Sequence, residues 1–238
     1  MKKHTIILTL IIGTLSVATA IFFLGHSLIP GPSSAQRTDI DHLMNLLNAI
    51  GGIIGILVVV LLVYIVIVFR RRRGDTTDGP PMRGFFPLEL VWTLVPLAIV
   101  VALGAYGGIK LQQITNADPK QPELVVNVTG FQWGWSFEYP DYGITSFELE
   151  MPVNQQVLLH VKSRDVVHSF WVPELGPKQD AVPGMINNLL LTPTKEGKFQ
   201  VKCSQLCGLN HAYMTAPAIV TSQDNFLNWV ARQPKTPK

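Results

Sequence analysis

The sequence has few charged residues for its length. Asp, Glu, Lys and Arg make up 15% of the 238 residues, whereas hydrophobic residues make up 47%. This balance is low in charge for a soluble protein of this size and predicts that part of the chain lies in lipid. The positive excess sits at Lys2, Lys3 and residues 70–73, because residues 111–238 contain 11 acidic and 10 basic residues. We therefore expect no nucleic acid among its partners.

Cysteine is almost absent, and the two that occur lie close to other potential metal ligands. Cys203 and Cys207 are followed by His211 and Met214, so that two thiols, an imidazole and a thioether fall within twelve residues. Thiolate and thioether are soft donors that select copper, and imidazole suits copper equally well. The alternatives are a disulfide beside an unrelated histidine and a core methionine, or a zinc site. Methionine is a poor zinc ligand and the C-x3-C spacing is unusual for zinc, so copper is favoured.

His168 adds a further donor from earlier in the chain. A single histidine beside a tryptophan is more often a core residue than a ligand. Here it precedes a ligand-rich loop, and a cupredoxin-type copper site takes one histidine from an earlier strand and its other ligands from a late loop. A mononuclear blue-copper site uses a single cysteine with two histidines and a weak axial methionine. The second cysteine therefore favours two metal ions bridged by two thiolates.

The segment from Cys203 to Met214 resembles the motif C-x-E-x-C-G-x-x-H-x-x-M of subunit II of the cytochrome c oxidase type of haem–copper oxidase. Within this motif the chain differs only at Gln205. The aromatic stretch 130–139 and residues 168–184 also agree with the family, so that the resemblance covers roughly residues 40–230.

This resemblance implies a binuclear copper centre, CuA, in which Cys203 and Cys207 are the bridging thiolates. It implies one imidazole on each copper, from His168 and His211. It also implies a weak axial thioether from Met214 and a backbone carbonyl from Gln205.

Gln205 stands where the family has a glutamate. The resemblance gives the backbone carbonyl of this position to copper, which any residue can supply. It gives the glutamate carboxylate to a magnesium site at the interface with subunit I. An amide is neutral and binds a hard cation more weakly. The change therefore leaves the copper assignment intact and disfavours the magnesium site.

Two more roles follow from the resemblance. Trp133 matches the first tryptophan of the family's aromatic strand, where electrons enter from the donor protein, and the alternative is a residue that packs a loop. Glu89 matches the mouth of a proton pathway into subunit I, and the alternative is a membrane-end carboxylate without a function. Docking of a basic cytochrome would use carboxylates near Trp133, although Arg164 weakens a uniformly negative patch. The candidates are Asp141, Glu148 and Asp165.

Three uncharged runs, at residues 5–24, 43–69 and 90–109, are long enough to cross a bilayer, which takes about 20 residues. The arginines at 70–73 predict a cytoplasmic loop, so that everything after Lys110 is exported. Residues 1–35 are then a signal peptide, ending near the small residues Ser33 and Ala35, or a retained membrane helix. Residues 36–115 are expected to form a transmembrane hairpin, with spans at about 43–69 and 88–110.

Residues 120–238 contain short apolar and alternating runs separated by proline and glycine, which predict a sandwich of β-strands with a helix after Ser222. The predicted fold is a membrane α-helical hairpin, preceded by the signal or anchor helix. An exported all-β greek-key cupredoxin sandwich that carries CuA follows it.

The resemblance implies an electron-transfer subunit of a terminal respiratory oxidase in a bacterial-type energy-transducing membrane. CuA takes electrons on the extracytoplasmic side from a soluble donor, a c-type cytochrome or a small copper protein. It passes them to haem in subunit I, where oxygen is reduced to water with coupled proton movement. Subunit I, with its haem and CuB, and subunit III are the implied membrane partners.

Three other classes of protein share parts of this pattern. A quinol oxidase subunit lacks the copper ligands that are present here. A membrane-tethered copper chaperone or thiol-redox module would not require a histidine four residues after the second cysteine, where His211 lies. The copper domain of a nitrous oxide reductase is disfavoured by the hairpin and the chain length, whereas that of a nitric oxide reductase stays open.

Overall fold

A computed structural model of the chain describes residues 2–26, 31–71, 73–79, 81, 84–116, 118 and 123–235. These residues form four α-helices, ten β-strands and two short 3₁₀ helices. The chain divides into two compact units, residues 1–28 with 42–110, and residues 29–41 with 111–238. The first unit is helical and the second contains the β-strands, in the order that the sequence predicts.

Three of the described helices are long and apolar enough to cross a membrane. They are α1 (Lys2–Gly25), α2 (Ala35–Val68) and α3 (Phe86–Thr115). Their most apolar windows have mean hydropathies of 2.4, 3.2 and 2.1, and none of these windows is buried inside the structure. An α-helix satisfies its own backbone hydrogen bonds, so helices with such apolar outer surfaces suit a lipid environment.

The helices α1 and α2 approach each other closely at one glycine. A Cβ atom at Gly52 would lie 2.5 Å from Cγ2 of Thr19 and 3.4 Å from the ring of Phe23. Small residues at such a crossing allow two membrane helices to pack backbone against backbone. A larger side chain at position 52 would push the two helices apart.

The β-strands form two five-stranded sheets within residues 123–235, in the orders β3-β2-β1-β5-β8 and β4-β10-β9-β6-β7. Along β1 every second residue is buried, because alternate side chains of a strand point to opposite faces. The buried faces of the two sheets share one apolar core. The strands are β1 (Glu123–Phe131), β2 (Gly134–Tyr139), β3 (Ile144–Ser146), β4 (Leu149–Pro152), β5 (Gln156–Ser163), β6 (His168–Trp171), β7 (Lys178–Ala181), β8 (Asn187–Leu191), β9 (Gly197–Cys203) and β10 (Thr215–Thr221), and a terminal helix α4 (Gln223–Arg232) follows them.

The helix α2 extends beyond the predicted membrane span at its N-terminal end. The helix begins at Ala35 and not near residue 43, and its first turns group with the β-sandwich. The backbone explains this grouping: Ser33 donates its N–H to the carbonyl of Glu174 and accepts from the N–H of Thr194, at 3.0 and 2.9 Å. Ala35 donates to the carbonyl of Thr192 at 3.0 Å. The two residues that resemble a cleavage site are thus hydrogen-bonded to the sandwich.

A buried ion pair accompanies these backbone contacts. Arg37 is almost fully buried, and its Nε lies 2.6 Å from Oδ1 of Asp41. The Arg37 guanidinium also donates to the carbonyl of Pro173. Gly176, with φ of +98°, leaves room for this arginine, because a Cβ there would lie 2.9 Å from its Cα. Polar residues that would be costly to bury alone are therefore paired at the junction of α2 with the sandwich.

The strand order brings the predicted ligands to one end of the second sheet. His168 begins β6, Cys203 ends β9, and the two strands are neighbours in register, with Phe170 opposite Cys203. The chain then forms a loop and a 3₁₀ helix (His211–Tyr213) before β10 returns along β9. One strand start and one loop thus carry all the predicted ligands.

Candidate metal centre

The two cysteine sulfurs form the middle of the site. Their Sγ atoms lie 3.7 Å apart, and both thiols are free. A disulfide needs about 2.05 Å, so the loop does not form the cystine that was the first alternative. A metal–thiolate bond is about 2.3 Å long, which is more than half of the distance between the two sulfurs. One metal ion can therefore bind both sulfurs at its usual bond length.

Each sulfur has an imidazole beside it. Nδ1 of His168 lies 3.9 Å from Sγ of Cys203, and Nδ1 of His211 lies 3.6 Å from Sγ of Cys207. The thioether of Met214 lies 3.6 Å from Cys207. Each cysteine sulfur thus has one imidazole nitrogen beside it, and only Cys207 also has the thioether of Met214 beside it.

Gln205 turns its backbone and not its side chain towards the sulfurs. Its carbonyl oxygen accepts a hydrogen bond from the Cys203 thiol at 3.2 Å, while the residue itself is exposed. The carbonyl oxygen of Gln205 therefore lies beside the Cys203 sulfur.

The surroundings of the sulfurs are apolar. Cys207, Met214 and His168 are buried and pack in or beside the sandwich core. Burial, followed by the neighbouring Cys203 thiol, raises the pKa of the Cys207 thiol to about 11. Without metal this thiol therefore keeps its proton at neutral pH, and a metal ion that binds there must displace it.

Asp165 links His168 to the turn between β1 and β2. Its Oδ1 lies 2.8 Å from Nε2 of His168, and its Oδ2 accepts the backbone N–H of Gln132 at 2.7 Å. Partial burial opposes ionisation of Asp165, but hydrogen bonds from His168 and from the N–H groups of Gln132 and Val166 outweigh it and hold the carboxyl pKa below its usual value. A carboxylate on the outer nitrogen of a ligating histidine fixes its ring orientation and tautomer.

Because Gly130 has no side chain, the ring of His168 can lie close to the backbone of β1. A Cβ atom at this position would lie 3.1 Å from Cδ2 of His168 and 3.1 Å from Cζ3 of Trp135. Trp135 stands edge-on to both His168 and Phe170, with ring centroids 6.0 and 5.8 Å apart. The imidazole is therefore held between a glycine, an indole edge and a carboxylate.

Trp133 contacts the ligand loop and is also exposed to solvent, with 37% of its surface accessible. It lies in the two-residue turn that joins β1 to β2. Gly208 adopts φ of +120°, and a Cβ there would meet the Trp133 indole at 3.3 Å. Next to it, the side-chain amide of Gln132 donates to the carbonyl of Cys207 at 2.7 Å. The turn is thus joined to the peptide of a candidate ligand.

Sequence reasoning missed three residues of this environment, namely Gly130, Gln132 and Gly208. All three lie in motifs that were recognised, but a glycine shows its function only when the side chain that needs the space is known. The hydrogen bond of Gln132 depends on two loops that are 75 residues apart.

The other candidates belong to other elements of the chain. Glu89 is in the first turn of α3 in the helical unit, exposed, where its carboxylate approaches Gly84. Asp141 lies in the 3₁₀ helix Pro140–Tyr142, beyond the far end of β2 from Trp133. Glu148 follows β3, and its backbone N–H donates to the hydroxyl of Ser146. Among the three carboxylates considered for docking, Asp165 is hydrogen-bonded to Gln132, the residue before Trp133.

The donor set fits copper better than zinc. It combines two thiols, two imidazoles, a thioether and a carbonyl in an apolar setting, and the described part of the chain places His168, Cys203 and Cys207 with their ligand atoms within 4.8 Å of one another. Soft sulfur donors and imidazole together select copper. Such a buried set suits the exchange of single electrons.

Both units of the chain are similar to known proteins. The family model described as "Cytochrome C oxidase subunit II, transmembrane domain" matches residues 22–108, and "Cytochrome C oxidase subunit II, periplasmic domain" matches residues 147–223. The chain is 33% identical to cytochrome c oxidase subunit 2 of Thermostichus vulcanus over 87% of this chain and 80% of that relative. It is 30% identical to the Synechocystis sp. protein of the same name over 100% of this chain and 85% of the relative.

Among solved structures, the periplasmic domain of subunit II of cytochrome oxidase (CoxB) of Bradyrhizobium japonicum is 34% identical. The match covers 48% of this chain and 95% of that one, with a TM-score of 0.46.

Apolar helices followed by a sandwich with a buried His–Cys–Cys cluster define a membrane-anchored protein of the cupredoxin class. With the family matches, the assignment becomes specific. The chain belongs to the family of cytochrome c oxidase subunit II and is thus the second subunit of a haem–copper oxidase. The predicted family and fold class are confirmed.

Proposed function

We propose that this subunit carries a binuclear CuA centre and transfers electrons from a soluble donor to the haem of subunit I. The observation that carries the proposal is the convergence of six donors: every other donor lies within 3.9 Å of one of the two cysteine sulfurs. Copper bound there would accept and release single electrons. The site offers two bridging sulfurs and a separate nitrogen at each end, which is what a pair of ions requires.

The protein holds this donor set rigidly. Cys203 donates its backbone N–H to the carbonyl of Met214 at 3.1 Å, which closes the base of the ligand loop. Met214 donates its own N–H to the carbonyl of His211 at 3.2 Å. Ser204 donates to the carbonyl of Ser169 at 2.9 Å, which ties the loop to β6. Ligands that are fixed before the metal binds move little when its charge changes, and this favours rapid electron exchange.

Trp133 is the proposed point at which electrons enter. Its indole is partly exposed and also contacts Gly208, the residue after Cys207, so one side chain reaches both solvent and the ligand loop. A residue that only packs the loop would share this contact but would not need the solvent-exposed part of the indole.

The rest of the reaction is assigned to other subunits. Haem, CuB and oxygen reduction with its proton movement belong to subunit I, and subunit III completes the membrane complex. Glu89, at the start of α3, is proposed to lie at the mouth of a proton pathway into subunit I. Gln205 exposes an amide where the family has a carboxylate, so any magnesium site at the subunit interface is weaker than in its relatives.

The proposed orientation has residues 70–73 in the cytoplasm and the sandwich on the extracytoplasmic side. Arg70, Arg71 and Arg73 lie in the described link between α2 and α3, and basic residues in short links favour the cytoplasm. A protease-cleavable tag at the C-terminus should be cut only from the extracytoplasmic side. Cleavage from the cytoplasmic side would contradict this orientation.

Copper content tests the centre itself. The assembled oxidase should lose two copper ions per complex in the Cys207→Ser variant, together with an electron paramagnetic resonance signal of one unpaired electron shared by two coppers. Ser204→Ala is the matched control, because it lies in the same loop and is not a proposed ligand. A loss of one copper with a blue mononuclear spectrum, or zinc in place of copper, would overturn the proposal.

A further inference from the structure

The helices α1 and α2 pack on each other along one stripe of each helix. The partly or fully buried residues of both helices recur every three or four positions, which places them on one face. On α1 this stripe contains Leu8, Ile12, Ser16, Thr19 and Phe23, and on α2 it contains Ala49, Ile53, Ile56, Val60 and Tyr64. The close approach of Gly52 to Thr19 lies within it. The two helices therefore form an antiparallel pair inside the helical unit.

A groove lies between the first turns of α1 and the last turns of α2. Its volume is about 350 Å³, within the range of small-ligand sites. The part of α2 that lines it, from Val60 to Val68, is about 12 Å long at about 1.5 Å per residue. Seven of its lining residues are aliphatic and two are polar at one end of the side chain. They are Ile7, Leu8, Ile11, Val60, Val63, Ile67 and Val68, with His4 and Tyr64. Such a lining suits a hydrocarbon chain.

The end of the groove at which α1 begins and α2 ends is positively charged. Lys3 precedes the groove residue His4, and the exposed Arg70, Arg71 and Arg73 follow α2. Residues 69–85 contain five arginines and two aspartates. The guanidinium of Arg71 donates from Nε to the backbone carbonyl of Asp75 at 2.6 Å and not to a carboxylate. An aliphatic groove thus ends beside a net positive charge.

We propose that this groove holds an acyl chain of an anionic phospholipid, with the phosphate group beside Lys3 and the arginines that follow α2. Basic residues at the membrane end of a helix attract anionic lipids, and basic sites between membrane helices bind their headgroups. A zwitterionic lipid would fill the same groove but would bring no net charge to balance these residues. The proposal goes beyond the copper centre and does not depend on it.

The charge favours a lipid over a helix of another subunit. Basic residues are enriched at the cytoplasmic ends of membrane helices in general. A further helix packed into this groove would therefore tend to bring more positive charge to the same end, where like charges repel. An anionic phospholipid brings the opposite charge together with a chain for the aliphatic lining.

The test uses the assembled oxidase in phosphatidylcholine vesicles that contain a small fraction of a photoactivatable phosphatidylglycerol, with the reactive group in its acyl chain. After irradiation, peptide mass spectrometry locates the labelled residues. We expect labelling of residues 4–11 and 60–68 to be about tenfold stronger than with a photoactivatable phosphatidylcholine of the same chain, because each basic residue near the surface adds to the attraction.

Two variants separate the groove from its charge. Ile7→Trp should lower the labelling about tenfold by filling the groove, whereas the matched control Ile6→Trp, an equally exposed neighbour outside the lining, should not. Arg70→Gln combined with Arg71→Gln should reduce the labelling by phosphatidylglycerol to that of phosphatidylcholine, and Lys110→Gln, near the other end of α3, should leave it unchanged. Three arginines remain in the link of the double variant, so its positive charge bias persists.

Several results would overturn the proposal. Equal labelling by the two lipids would remove the selectivity for negative charge. Cross-links from the groove to another subunit, without lipid labels, would assign it to a protein interface. A purified subunit that lacks residues 4–11 would lack one wall of the groove. The copper spectrum and donor oxidation should be normal in Ile7→Trp, so failure here leaves the proposed function intact, whereas a missing CuA spectrum in the unaltered oxidase would refute that function alone.

Discussion

Replacing Gly130 by alanine should disturb the copper centre, although Gly130 is not a ligand. The added Cβ would lie 3.1 Å from His168 and 3.1 Å from Trp135, closer than ordinary contacts between carbon atoms. Neither neighbour can withdraw easily: both are buried, His168 is bound to Asp165, and Trp135 stands against Phe170. Over-packing of this kind typically costs about 1–3 kcal/mol.

The expected result is a shifted imidazole. Gly130→Ala should change the optical and paramagnetic spectra of the copper centre and shift its reduction potential. It should also lower the temperature at which these signals disappear on heating. Spectra, potential and thermal loss are all measured on the same purified oxidase, so that a change in the centre can be distinguished from a general loss of stability.

Gly197→Ala is the matched control. Its Cβ would meet the Phe199 ring at 3.0 Å, a contact as close as that at Gly130. Phe199 is only half-buried, however, and lies at the end of β9 opposite to Cys203. This variant should leave the copper signals unchanged. If Gly130→Ala behaves in the same way, the contact is relieved without moving His168, and the reasoning is wrong.

Four further outcomes are expected. Asp165→Ala should raise the reduction potential of the centre, since it removes a negative charge and the acceptor that orients His168, and a potential equal to that of the unaltered oxidase would contradict this. Gln205→Glu should leave copper content unchanged and strengthen manganese or magnesium binding by the complex, whereas loss of copper would show that the side chain matters directly. Trp133→Ala should slow electron uptake from the donor by orders of magnitude with a normal copper spectrum, whereas loss of copper on heating would identify it as a packing residue. Glu150→Gln should stabilise the subunit at neutral pH, because burial, followed by Glu148, raises the pKa of the Glu150 carboxyl in the folded state. The unaltered protein therefore loses stability as the pH rises from the unfolded-state pKa through the folded-state pKa. Below about pH 4, where the carboxyl is protonated in both states, the thermal unfolding of the two proteins should coincide.

The candidate ligands could be found in the sequence because their spacing is local. Cys203, Cys207, His211 and Met214 lie in one loop, and together they supply the soft donors and the imidazole that copper selects. The start of α4 was predictable for a similar reason: Ser222 caps the helix by accepting the N–H of Asn225 at 3.4 Å, and serine at that position is a local signal.

Contacts between distant segments could not be predicted in this way. The helix α2 extends beyond the predicted apolar span because hydropathy alone marks where apolar residues begin, and most of residues 36–41 are polar. What makes them helical and buried is their pairing with residues 173–194, more than 130 positions away. The roles of Gly130 and Asp165 likewise depend on which side chains the two sheets bring together.

The hydrogen bonds of Ser33 and Ala35 to the sandwich also restrict how the chain can be threaded through a membrane. Segments that are hydrogen-bonded to each other lie on the same side of a bilayer, so residues 33–35 and the sandwich share one side. The chain between them must then cross an even number of times. If α2 crosses, α3 must cross back, and the link with Arg70, Arg71 and Arg73 lies on the other side. Any crossing by α2 must therefore be matched by a return crossing, independently of any charge rule.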